Sequence, residues 1–157
     1  MKQRAQSENS SEAVFSVRFP AVVEFVVPLR KAFSAFLEVK KVSHDIVYML
    51  TLGLSEAVIN VIEHTYHFDP SKWIVVEWHL EEAGEERELI VTIRDFGEKV
   101  DPSCLVPRPL EDLKDHGLGL HLIRKTYDSV EFDHTVSCLL YTSRAHETSL
   151  HLVCRLL

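Results

Sequence analysis

Seventeen residues from Ile46 to Ile62 constrain this chain most, because they are apolar almost all round and hold one carboxylate, Glu56, and one amide, Asn60. A helix with no polar face must be central and buried on most sides. The pattern predicts a helix from about His44 to His67, with Ser43 as its N-cap. Glu56 and Asn60 are four residues apart and therefore share one helical face. An ionised carboxylate is costly to bury unpaired, so something must compensate for it. One candidate is a divalent cation such as magnesium, a hard ion that keeps waters and takes one or two protein oxygens. The other is a plain helix-edge position, in water or beside an arginine.

The remaining sequence frames that helix. The chain has 157 residues, 46% hydrophobic and 26% charged, with a formal net charge of -7. That suits one globular domain able to bury a core, and lacks the basic footprint of a nucleic-acid binder. Ala21–Leu29 reads as the longest apolar stretch, and Glu24 and Pro28 interrupt it, so no membrane span is expected. Residues 1–12 are polar, without the apolar core of a secretory signal, and read as a flexible N-terminus before a domain over 13–157. Three cysteines without C-x-x-C spacing read as reduced thiols, consistent with a cytoplasmic protein.

Val14–Phe19 is β-like and stopped by Pro20, and Ala21–Glu38 has helical periodicity, with Pro28 expected to kink the helix or shift its start. Trp73–Glu81 and Arg87–Asp95 alternate and form a hairpin across Ala83-Gly84-Glu85. Phe96–His116 has no periodicity and carries Pro102, Pro107 and Pro109, which reads as a functional lid or a disordered insertion. Leu118–Tyr127 reads as a helix, and Val130–Phe132, Cys138–Thr142 and Leu150–Leu156 as strand candidates. Strands mixed with helices without strict βαβ alternation predict an α+β two-layer sandwich.

Two further motifs carry chemistry. Asp95-Phe96-Gly97 ends the second hairpin strand, where a carboxylate can accept from an exocyclic amine and a glycine lets backbone approach a planar ligand; it is also a common turn. Gly117-Leu118-Gly119-Leu120 opens a helix, whose exposed N–H groups and dipole suit phosphate; a hinge would look the same. His64 and His67 make no H-E-x-x-H metal pattern, and Trp73 and Trp78 read as packing residues.

In series, Glu-x-x-x-Asn on a helix, Asp-x-Gly after a hairpin, a long loop and Gly-x-Gly-Leu on a helix resemble the Bergerat-type ATP-binding fold of DNA gyrase, histidine kinases and MutL. The run Leu54-Ser55-Glu56-Ala57-Val58-Ile59-Asn60-Val61-Ile62-Glu63-His64 resembles the N-box of the anti-sigma factor serine/threonine kinases. The resemblance spans about residues 14–157 and implies a mixed, mostly antiparallel sheet with helices on one face. It implies ATP and Mg2+ as ligands. Asn60 then coordinates the metal, Glu56 acts as general base, and Asp95 binds the adenine amine with Gly97 beside the ring. Gly117, Leu118, Gly119 and Leu120 meet the phosphates, with His116 a further phosphate contact or a plain loop residue. Thr148 matches the late threonine at the adenine end only loosely, because Glu147 stands where a glycine is usual, and His116 likewise replaces a usual glycine. His64 matches a usual family histidine, structural or phosphate-side.

The function so implied is an ATP-dependent serine/threonine protein kinase of the anti-sigma type. A sigma factor is held, a small anti-sigma factor antagonist is phosphorylated, and the kinase is a homodimer. The rival is a nucleotide-gated protein-binding module without phosphoryl transfer. Glu56 favours the kinase, since a mere binder needs no base. A histidine kinase is disfavoured because residues 1–13 hold no helical phosphoacceptor region, and gyrase or MutL activity because no second domain is left to couple hydrolysis to motion.

Overall fold

Alternating apolar residues build the sheet. The computed structural model describes residues 14–83, 86–97, 118–132 and 151–156. Strands β1 (Phe15–Pro20), β2 (Trp73–Ala83) and β3 (Glu86–Arg94) pair antiparallel, with Val17 opposite Val76 and Val76 opposite Ile93. Strands β4 (Ser129–Phe132) and β5 (His151–Leu156) complete the order β1-β2-β3-β5-β4, with β5 parallel to both neighbours. Pro20 ends β1 at the sheet edge, where a residue without an N–H is tolerated. Phe19, Ile74, Val76, Trp78, Leu80, Leu89, Val91 and Ile93 are buried, so one sheet face forms half of the core. The result is the expected α+β two-layer sandwich with a mixed sheet.

The first helix starts later than its periodicity indicates. A 3-10 turn at Val23–Phe25 precedes α1 (Val26–Val39). Pro28 falls in the first turn of α1, where N–H groups lack intrahelical acceptors, so it shifts the start. Val26, Leu29, Phe33, Phe36 and Leu37 face the core, and the ring of Phe33 meets Trp78 edge-on at 5.4 Å between centroids. Trp78 is fully buried, as a packing residue should be, although its Nε1 has no hydrogen-bond partner among the described residues.

Helix α2 (His44–Asn60) is the central helix, continued by a π-helical turn at Val61–Thr65. Ser43 occupies the N-cap position with extended backbone, but its side chain makes no capping bond. Val47 N–H bonds to the Ser43 carbonyl instead, at 2.9 Å. One expectation needs correction. His44–Thr65, with a mean hydropathy of 1.5, surpasses Ala21–Leu29 and is long and apolar enough to cross a membrane by length and composition alone. Here 56% of that apolar window is buried by the rest of the fold, which is how a core helix passes the same test.

Helix α3 (Leu118–Thr126) lies antiparallel across α2. Gly53, in the middle of α2, permits this. A Cβ there would come within 2.6 Å of the Tyr127 ring and 2.9 Å of Thr126 Cγ2. Glycine costs a helix interior about 1 kcal/mol relative to alanine, and close approach of α3 is what it allows here. The Tyr127 hydroxyl donates to the Leu50 carbonyl at 2.9 Å and locks the crossing. The strand candidate at Cys138–Thr142, the hairpin residues Gly84 and Glu85 and the proposed lid from residue 98 lie outside the described residues.

Candidate functional site

The antiparallel crossing brings two motifs together that are far apart in sequence. Glu56 and Asn60 leave α2 on the face met by the first turn of α3. A Cβ built on Gly119 would lie 3.2 Å from Glu56 Oε2, 3.4 Å from Asn60 Nδ2 and 3.4 Å from Asn60 Oδ1. Any larger side chain at position 119 would fill the space beside these polar atoms. Both residues are half-buried, so Glu56 is less enclosed than an all-apolar helix implied. Neither side chain has a hydrogen bond or ion pair among the described residues, where the one ion pair joins His79 and Glu81. The edge-position reading with an arginine partner therefore finds no such arginine among the described residues. Leu118 and Leu120 lie in the first turn of α3, whose N–H groups are free of intrahelical acceptors and whose dipole is positive.

The Asp-x-Gly turn has a different character. Asp95 is 5% exposed, immediately after β3, and its Oδ1 accepts from Gly97 N–H at 2.9 Å. A Cβ at Gly97 would lie 2.3 Å from Thr65 Cγ2, so the glycine is needed for space and not for an unusual φ. The Tyr66 hydroxyl accepts from Phe96 N–H and donates to the Trp73 carbonyl at 2.9 Å. The C-terminal end of the α2 segment thus holds the turn from beneath. The π-helical turn aims Thr65 and Tyr66 at it, with Tyr66 N–H bonding to the Val61 carbonyl at 3.0 Å.

The structure thus gathers Glu56, Asn60 and Gly119 at one locus and Asp95 and Gly97 at another, and both loci are built on the α2 segment. His116, Gly117 and Thr148 lie outside the described residues. His64 and His67 are exposed, and no group of three or more potential His, Cys, Asp or Glu ligands occurs among the described residues. Magnesium does not need such a group, because it binds through one or two protein oxygens together with phosphate and water. The oxygens of Glu56 and Asn60 beside the Gly119 backbone fit that requirement.

Sequence reasoning missed Thr65, Tyr66 and Gly53. Tyr66 lay inside the helix expected to reach His67, and nothing in its spacing marks the end of that helix. Trp73 was expected to pack; it is 42% exposed, with the Arg18 guanidinium 4.7 Å above its ring. A surface cleft of about 370 Å³ lies between Arg18, Lys72, Trp73 and Phe96, and it contains none of Glu56, Asn60, Asp95 or Gly119.

Comparison with known proteins fits this arrangement. A family profile described as the histidine kinase-like ATPase domain matches residues 19–140. The chain therefore belongs to the histidine kinase-like ATPase family, and its α+β sandwich has the Bergerat-type architecture. Serine-protein kinase RsbW of Halalkalibacterium halodurans is 33% identical over 120 residues, covering 71% of this chain and 70% of that protein. Serine-protein kinase RsbW of Bacillus cereus (strain B4264) is 25% identical over 122 residues, covering 75% and 76%. These relatives put the chain in the anti-sigma-factor-kinase-like part of the family.

Proposed function

We propose that this chain is an ATP-dependent serine/threonine protein kinase that acts as an anti-sigma regulatory factor and phosphorylates a small antagonist protein. The observation that carries the reading is the meeting of Gly119 with Glu56 and Asn60, a phosphate-type helix N-terminus beside a carboxylate and an amide that have no partner among the described residues. Family membership and the RsbW relatives support it. The reading includes as partners a sigma factor and an anti-sigma factor antagonist, together with a homodimer and a cytoplasmic setting.

In this reading Asp95 accepts from the adenine amine, and Gly97 leaves room for the ring. The first-turn N–H groups of α3 face the phosphates, with Gly117 and His116 before them, and Thr148 supports the adenine end. Asn60 offers the side-chain oxygen for Mg2+. Magnesium, when bound with nucleotide, neutralises charge on the phosphate oxygens. Glu56 orients the acceptor hydroxyl and takes its proton as the oxygen bonds to the γ-phosphorus and the bond to the bridging oxygen of ADP breaks. A carboxylate without a cationic partner among the described residues remains available for that proton.

The test is incubation with ATP labelled at the γ-phosphate and a candidate small antagonist protein from the same organism. Label on a serine or threonine of that protein supports the kinase. Nucleotide-dependent binding of the partner without label would instead establish a nucleotide-gated binding module, and a chain that binds no ATP would overturn both.

A further inference from the structure

Tyr66 belongs to no motif, yet it meets both residues that follow Asp95 in the turn, Phe96 and Gly97. It is buried, and its hydroxyl bridges two strands, accepting from Phe96 N–H just after β3 and donating to the Trp73 carbonyl at the start of β2. Its ring edge lies 3.5 Å from the Cβ position of Gly97, and Thr65 beside it fills the rest of that space. The local chain is wound to put it there. The π-helical turn adds a residue to the last turn of the helix, and left-handed His67 and Phe68 (φ 50° and 61°) then stop it. Asp69 N–H bonds to the Tyr66 carbonyl at 2.9 Å, and the chain returns through Ser71 to Trp73.

We infer that Tyr66 is a positioning residue for nucleobase recognition: its hydroxyl fixes the backbone of Phe96, which sets the direction in which the Asp95 carboxylate points. This rests on the proposed adenine-binding role of Asp95. Phe96 N–H lies between Asp95 and Gly97, so the bond from Phe96 N–H to Tyr66 acts in the same turn as the bond from Gly97 N–H to Asp95. With the phenol removed, the Phe96 amide loses its acceptor and the turn loses one of the bonds that resist its rotation. Discrimination for a base amine should then fall while the phosphate end is untouched.

The experiment measures the affinity of ATP and of purine riboside 5′-triphosphate, which lacks the amine, for wild type, Tyr66→Phe and Asp95→Asn. Wild type is expected to favour ATP by about 10–100-fold, the worth of a hydrogen bond to a charged group. Tyr66→Phe should reduce that preference to within about threefold and leave affinity for the amine-free nucleotide within about threefold, approaching Asp95→Asn. Equal losses for both nucleotides, or an unchanged preference, would overturn the positioning role while leaving Asp95 in place. A wild type with no preference for ATP would overturn the Asp95 assignment and the inference with it. A second pair guards against misfolding. Gly97→Ala should erode the same preference, because its methyl meets Thr65 Cγ2, and Thr65→Ser combined with it should restore it by removing that methyl. Failure of this rescue in a folded double variant would also count against the inference.

Discussion

The two ends of the candidate site are built in opposite ways. At the Asp95 end, the polar groups of the turn are engaged within the protein: Asp95 with Gly97 N–H, Phe96 N–H with Tyr66, and Tyr66 with Trp73. At the Glu56 end, a carboxylate and an amide sit half-buried with no hydrogen bond or ion pair among the described residues. Reading a base requires a fixed donor and acceptor pattern, so rigidity built into the fold favours it. Holding phosphate and metal requires groups whose polar capacity is still unspent, and a half-buried carboxylate with no partner has that capacity. One helical segment serves both ends. Its regular part carries Glu56 and Asn60, and its π-helical end carries Thr65 and Tyr66.

The contrast is broken most strongly at Glu56. Glu56→Ala should cut phosphoryl transfer by roughly 10²–10⁴ while leaving ATP affinity within a few-fold, because its work is done in the transition state. Steady-state label transfer and equilibrium binding on the same preparation check this, with a melting curve to exclude a packing defect. Equal loss of binding and transfer would mean the residue serves ground-state binding.

A smaller effect is expected at the other end. Asp95→Asn should weaken ATP binding by about 1.5–3 kcal/mol at most, because asparagine still accepts through its carbonyl while losing the charge. Calorimetry reads the loss, and unchanged affinity would remove Asp95 from the site.

Gly53→Ala should act on one end only. Its methyl would press on Tyr127 and Thr126 and push α3 from α2, costing about 1–3 kcal/mol of stability. The preference for ATP over an amine-free nucleotide should survive while phosphate affinity drops. Denaturant titration and the two-nucleotide comparison test both statements.

The smallest effect concerns the turn that feeds β2. Hydrogen bonds from the Ser71 side chain, then its backbone, and the charge of Lys72 hold the exposed Asp69 carboxyl below the usual aspartate value. Its pKa is lowered on folding, so its contribution is present above the ordinary aspartate range and fades as pH falls through the folded value. Asp69→Ala should slightly lower stability near neutrality, where this contribution is present, and flatten the acid limb, so that variant and wild type converge below the folded value. A chain melted at several pH values from neutral to acid decides it.

Much of this was legible in the sequence because it rests on local pattern. Period-two alternation marked Trp73–Glu81 and Arg87–Asp95, and the Glu-x-x-x-Asn spacing put Glu56 and Asn60 on one face before any fold was known. What escaped depends on tertiary neighbours. Gly53 reads locally only as a helix weakener, and its purpose appears when Tyr127 lies against it. Ser43 has the chemistry of a cap but makes no capping bond. The insertion of β5 between β3 and β4 brings together strands whose partners no short-range signal names. Tyr66 was hidden because winding an extra residue into a helix end leaves no mark on the apolar spacing.

The central claim is that one helical segment carries a base-reading end and a separate metal-and-phosphate end. Calorimetric titration of ATP with magnesium and with EDTA, on wild type, Asn60→Ala and Asp95→Asn, tests it most directly. The account predicts that magnesium tightens binding to wild type, that Asn60→Ala loses this response, and that Asp95→Asn binds more weakly in both conditions but keeps it. A magnesium response retained in Asn60→Ala, or lost in Asp95→Asn, would contradict the division of labour between the two ends.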